Sequence, residues 1–155
     1  MTNEENIKSE LIKKFGFLDG KITVRRARRI FADVALENFA KVFDYALKSL
    51  SFTMLCGITG LDEGTALGFI YHIAREDGIM LNIKVSVDRN NPVIKTITHD
   101  FPGADNYERE LMDLLGTKVD GLPPGKRYPL SDDWPTDEYP LRKDWKKKDE
   151  VKTNA

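Results

Sequence analysis

A chain of 155 residues with 24 Lys and Arg against 25 Asp and Glu is long enough to bury one core unaided, and its net charge is only −1. That balance supplies no long-range field to gather nucleic acid or anionic lipid, so either partner would need a local patch. A single cysteine, Cys56, cannot form an internal disulfide or supply the thiolate set of an iron–sulfur cluster or structural zinc site, and it fits a reducing cytoplasm. No apolar run approaches the ~20 residues that span a bilayer. The polar start Met1-Thr2-Asn3-Glu4-Glu5 lacks the basic head and apolar body of a signal peptide, so if the chain meets a membrane, other subunits are expected to take it there.

In chain order, Thr2 to Glu5 fit a capping box, and Ile7, Leu11, Ile12 and Phe15 then share a helical face that ends at Gly16. Residues 21–34 alternate apolar and polar around an arginine run, which predicts two short strands or one bent one. Phe39, Val42, Phe43, Ala46 and Leu47 recur at helical spacing, so 35–49 should be an amphipathic helix lying on a sheet. Strands are expected at 52–59, 65–74 and 79–88, separated by Asp62-Glu63-Gly64 and Glu76-Asp77-Gly78. In the last, Ile79, Leu81, Ile83, Val85 and Val87 should face the helices, while Asn82, Lys84, Ser86 and Asp88 face away. A helix over 106–115 shows Tyr107, Leu111, Leu114 and Leu115 on one face and stops at Gly116. The fold class is therefore α+β: a two-layer sandwich with helices on one face of a mixed, largely antiparallel sheet.

After residue 120 the composition changes. Pro123, Pro124, Pro129, Pro135 and Pro140 exclude a long helix and disfavour a central strand, while Trp134 and Trp145 argue against disorder. The expected organisation is an α+β domain over 1–120, an extended strap over 121–145 and a disordered tail over 146–155.

Residues with chemical potential read modestly. His72 and His99 have no neighbours at ligand spacing, so both are read as structural. Cys56 has no activating base specified nearby and reads as a small core residue. Arg25, Arg26, Arg28 and Arg29 would point to both faces of a strand without an interleaved stacking platform, favouring a solvated edge or protein contact over RNA. Glu108, Arg109, Glu110 and Asp113 form either a solvated ion-pair ladder on a helix or a charged group covered by the strap or a partner. Arg127, Tyr128, Trp134, Tyr139, Arg142 and Trp145 are residue types that dominate interface hot spots, on a segment stiffened by proline. Two readings remain open: the strap binds a partner, or its aromatics fold back onto their own domain. One strap can do both.

The run Tyr107-Glu108-Arg109-Glu110-Leu111-Met112-Asp113-Leu114-Leu115-Gly116, then Leu122-Pro123, Lys126-Arg127 and Pro140-Leu141-Arg142-Lys143-Asp144-Trp145, resembles the signature of the complex I 30 kDa subunit family. That family includes the 30 kDa-type subunit of respiratory NADH dehydrogenase and its relatives in membrane-bound [NiFe] hydrogenases and formate hydrogenlyases. The resemblance implies a peripheral-arm subunit on the cytoplasmic face of the membrane, with no catalytic, cofactor-binding or metal-binding residues of its own. It further implies docking on a large hydrogenase-like (49 kDa-type) subunit, with the [NiFe] centre and iron–sulfur clusters in partner subunits and no nucleic acid. Docking residues carried by the signature and strap are Glu108, Arg109, Glu110, Asp113, Arg127, Trp134, Tyr139, Arg142, Lys143, Asp144 and Trp145. Leu122 stands where respiratory members usually have His, and Asp132-Asp133-Trp134-Pro135 resembles the hydrogenase relatives. The expected complex is thus an energy-converting hydrogenase, with a respiratory NADH:quinone or F420H2 dehydrogenase as the alternative and a stand-alone RNA-binding module as a remote one.

Overall fold

The Thr2 hydroxyl accepts the Glu5 N–H at 3.3 Å and opens α1 (Asn3–Lys14), whose early Glu4 and Glu5 and late Lys13 and Lys14 complement the helix dipole. This computed structural model describes residues 1–148. A short 3₁₀ turn leads into β1 (Ile22–Arg26) and β2 (Arg29–Asp33). The 21–34 stretch is thus two strands, joined as a hairpin through Ala27 and Arg28, with Arg28 in the left-handed region at φ 61°. Next come α2 (Leu36–Lys48), β3 (Met54–Asp62), β4 (Ala66–Ala74), β5 (Met80–Asp88), β6 (Val93–Lys95), α3 (Ala104–Leu115) and β7 (Lys118–Asp120). The last helix starts two residues earlier than its apolar spacing indicates, at Ala104 rather than Asn106, and the small parallel β6–β7 pair was not foreseen.

The main sheet runs β1-β2-β5-β4-β3, antiparallel except where β2 lies parallel to β5. Register aligns Ile22, Ala32, Ile83, Tyr71 and Ile58 in one row across all five strands, and every member is buried. This face meets the helices. Phe39 and Phe43 of α2 lie 4.5 Å and 6.0 Å from the Tyr71 ring, and Leu111 and Leu115 of α3 press on Gly60 of β3. A Cβ on Gly60 would stand 2.5 Å from Leu115 and 2.7 Å from Leu111, so the glycine sets how closely α3 approaches the sheet.

Among the described residues the opposite face carries no helix. Asn82 points there as its alternation requires, yet it is only 2 % exposed. Its amide donates to the Ile30 carbonyl at 2.9 Å, and its carbonyl lies 2.6 Å from Nδ1 of His72, whose Nε2 reaches the Thr59 hydroxyl at 2.8 Å. Such mutual pairing is how polar groups tolerate burial. Cys56 departs from expectation: it is exposed, not a core residue, because a bulge between Leu55 and Gly57 takes it out of the strand's alternation.

Candidate docking site

Beyond β7 the chain crosses back over α3 in an irregular path as far as Lys148, and the part of the tail from residue 149 lies outside the described residues. Three arginines fix this path. Arg109 forks onto both oxygens of Asp105, one turn earlier, at 2.9 Å each, and donates to the Pro123 carbonyl at 2.6 Å. Asp113 accepts from Nε of Arg127 at 3.2 Å and from the Leu130 N–H at 3.1 Å, while Arg127 also donates to the Trp134 carbonyl at 2.7 Å. Arg142 donates from Nε to the Leu115 carbonyl at 2.7 Å, and the Leu141 N–H meets the Leu114 carbonyl at 3.0 Å. Arg142 and Leu141 thus satisfy two carbonyls that the end of α3 leaves without helical partners.

α3 terminates at Gly116, in the left-handed region at φ 73°, with Gly116 and Thr117 N–H groups returning to Met112 and Leu111 carbonyls. The Tyr139 ring lies where a Cβ on Gly116 would be, 2.5 Å away, and the Arg142 guanidinium lies 5.0 Å above that ring. The Trp134 and Trp145 rings lie 5.7 Å apart, tilted by 35°, and Glu138 holds both indole N–H groups, one through its carbonyl at 2.8 Å and one through its carboxylate at 3.3 Å. Trp134, Tyr139 and Trp145 therefore pack on their own chain.

Asp62 is the buried anchor of the far end. Its side chain is 2 % exposed, and it accepts the Lys143 N–H at 2.7 Å, the Gly64 N–H at 2.8 Å and the Arg89 guanidinium, which also reaches Asp144 at 2.7 Å. Hydrogen bonding by Arg89 and these N–H groups, acting against desolvation, holds the Asp62 carboxyl well below the usual carboxylate range. Sequence reasoning placed Asp62 only in a turn and passed over Arg89. The contacts span 27 and 81 residues, and no local pattern announces them.

Of the eleven docking residues, Glu108 needs correction, since its side chain is wholly buried and presents no surface. It accepts the Ile97 N–H at 2.7 Å and the Thr96 hydroxyl at 2.6 Å, tying the segment before α3 to the helix. Arg109, Asp113, Arg127, Trp134, Tyr139, Arg142 and Trp145 are partly buried and engaged within the chain, Glu110 lines a groove, and Lys143 and Asp144 are exposed. Beside these charges the site leaves three large side chains with apolar surface open: Met112 (37 % exposed), Tyr128 (45 %) and Leu141 (53 %). Leu141 overhangs a groove of about 240 Å³ between α3 and β3, lined by Ile58, Thr59, Gly60, Glu110 and Leu114. β3 is an edge strand, so one side of its backbone pairs with no other strand of the sheet.

The family model described as "Respiratory-chain NADH dehydrogenase, 30 Kd subunit" matches residues 32–151. The chain belongs to this 30 kDa subunit family. It is 35 % identical over 120 residues to a subunit of the F420H2 dehydrogenase of Methanosarcina mazei, across 76 % of this chain and 75 % of that protein. It is also 38 % identical over 89 residues to the membrane-bound hydrogenase subunit beta of Pyrococcus furiosus, across 55 % of this chain and 51 % of that one. The chain spans about half the length of this Pyrococcus relative. The fold matches a chain of the membrane-bound sulfane sulfur reductase, an archaeal respiratory membrane complex, with a TM-score of 0.81 at 25 % identity over 94 % of this chain and 86 % of that one. This 30 kDa-family member is a complex I-like subunit; the Pyrococcus relative is a subunit of a membrane-bound hydrogenase, and the structural neighbour is part of a membrane complex. No helix among its described residues is long and apolar enough to cross a membrane. α1, β1 and most of β2 precede the family-matched region.

Proposed function

We propose that this chain is a non-catalytic peripheral-arm subunit of an energy-converting, membrane-bound [NiFe] hydrogenase-type complex, seated through α3 and the strap on the large catalytic subunit. The carrying observation is the groove beside the β3 edge with Leu141 above it. Internal anchors hold the strap in place, so its exposed apolar side chains are pre-positioned and lose little freedom on binding. The [NiFe] centre and iron–sulfur clusters belong to partner subunits in this reading, and the chain reaches the cytoplasmic face of the membrane through them. The long match to the Methanosarcina protein favours a second reading, the corresponding subunit of an F420H2 dehydrogenase-type complex.

The test is to purify the native complex through a tag on this chain, identify the large subunit, and measure nickel. Nickel with hydrogen-dependent turnover supports the first reading; a nickel-free complex oxidising a reduced deazaflavin supports the second. Leu141→Asp should release the large subunit while leaving thermal unfolding of the chain within ~0.5 kcal/mol of wild type, as for exposed positions generally. Undiminished co-purification of the large subunit with this variant would remove the groove from the interface.

A further inference from the structure

The β1–β2 hairpin concentrates Arg25, Arg26, Arg28 and Arg29 in five residues, and none of the ion pairs among the described residues involves any of them. Arg26 and Arg29 are direct cross-strand partners, an arrangement of like charges that destabilises a ribbon. The carboxylate that does reach the hairpin, Glu4, is engaged with the Arg28 backbone N–H at 2.6 Å.

Three of the four side chains are nonetheless placed. The Arg25 guanidinium stacks on the Phe31 ring at 4.5 Å, Arg29 donates to the Arg28 carbonyl at 2.8 Å, and the Arg28 guanidinium passes over Gly78, 3.5 Å from where a Cβ would stand. The hairpin itself is held by Glu4 and by the Met80 N–H on the Arg28 carbonyl at 3.0 Å. The Arg25 guanidinium, lying over the Phe31 ring, keeps its N–H edge free for an in-plane, bidentate acceptor.

We infer that this hairpin is a second docking contact, which takes a carboxylate-bearing segment of a neighbouring protein subunit. The inference rests on the proposal that the chain works inside a multi-subunit complex, but it concerns a different surface, ahead of the family-matched region. Protein is favoured over single-stranded nucleic acid because Arg25 covers the one aromatic face in the cluster, leaving no platform for a base. A bilayer is disfavoured because the cluster is confined to one short hairpin and adjoins no membrane-spanning helix among the described residues. Three placed guanidiniums, with Arg26 beside them on the same turn, match a few fixed carboxylates.

The complex is purified through a tag on this chain carrying wild-type sequence, Arg26→Glu/Arg28→Glu or Arg28→Lys, and washed at rising salt. The double reversal should lower the salt at which the chain leaves its complex by about two-fold or more, as expected when interfacial charges are opposed. In the Arg28→Lys complex, a zero-length carbodiimide should couple the introduced amine to an Asp or Glu of one neighbouring subunit, identified by mass spectrometry. Arg26→Gln/Arg28→Gln removes the charge without opposing Glu4, and replaces the reversal if that variant fails to fold. Unchanged salt release with no coupling at position 28 would overturn the inference while leaving docking through Leu141 intact. Adsorption of the chain to phosphatidylglycerol vesicles or to an RNA oligonucleotide, lost in the double variant while complex retention is unchanged, would overturn it in favour of those partners. A wild-type chain that brings down no subunit at low salt would sink both proposals.

Discussion

Glu108 offers the sharpest test of how the docking helix is held. Replacing it with Ala removes the acceptor of two hydrogen bonds inside a fully buried site. The losses are unequal, because the Thr96 hydroxyl lies 2.8 Å from the Thr98 hydroxyl and can pair there instead, whereas the Ile97 N–H has Glu108 as its acceptor. One orphaned buried donor costs ~1–3 kcal/mol, and the space left by the missing methylene and carboxyl adds about 1 kcal/mol. Glu108→Ala should therefore cost about 2–4 kcal/mol. Glu108→Gln keeps the volume and turns its carbonyl to Ile97, so it should cost about 1 kcal/mol or less.

Burial pushes the Glu108 carboxyl above its ordinary value, outweighing the two hydrogen bonds that favour the charged form. The folded chain thus retains this proton to higher pH than the unfolded chain. From 4.5 upward, wild-type stability should fall until the folded carboxyl has ionised, then level off. Glutamine carries no such proton, so the penalty of Glu108→Gln should be largest at low pH and shrink across that window. Urea unfolding of the full chain at a series of pH values reads both effects. Equal costs for Ala and Gln, or a Gln penalty that grows with pH, would refute this account of the site.

Two other outcomes follow from the same geometry. Gly60→Val should lift α3 from β3, because Leu111 and Leu115 occupy the space a side chain needs; overpacking of this kind costs ~1–3 kcal/mol, and a thermal midpoint unchanged from wild type would contradict the close approach. Asp62→Asn should free the end of the strap without unfolding the sheet, seen as faster tryptic cleavage after Lys143 at neutral pH; because the Asp62 carboxyl is held below its ordinary value, its contribution is present above 3.8 and lost as pH falls through the lowered folded value, so the wild-type Lys143 N–H should lose its hydrogen-exchange protection only in acid.

Much of this architecture could be read from short-range pattern. The strict alternation of β5 gave its buried face, and the Leu111, Leu114 and Leu115 spacing with Gly116 gave α3 and its end. The strap was visible in its prolines and tryptophans, but which side it served was not, since hot-spot residue types are also good partners for their own helix. The hairpin was blurred because Arg25 to Arg29 interrupt the period at the turn itself. β6 and β7 are three residues each, too short to leave a period. Asp62, Arg89 and Asp144 meet only through tertiary folding, and the exposure of Cys56 depends on a bulge that spacing cannot place.

The one parallel pairing in the main sheet sets an order of assembly. β3, β4 and β5 are joined by tight turns and close at little entropic cost, whereas the β2–β5 contact is long-range, with Asn82 reaching the Ile30 carbonyl across 52 residues. During synthesis the β1–β2 hairpin is made before β5, the strand it pairs with, so it cannot join the sheet until β5 is available. The β3–β4–β5 meander thus presents the strand edge onto which the earlier-made hairpin must close.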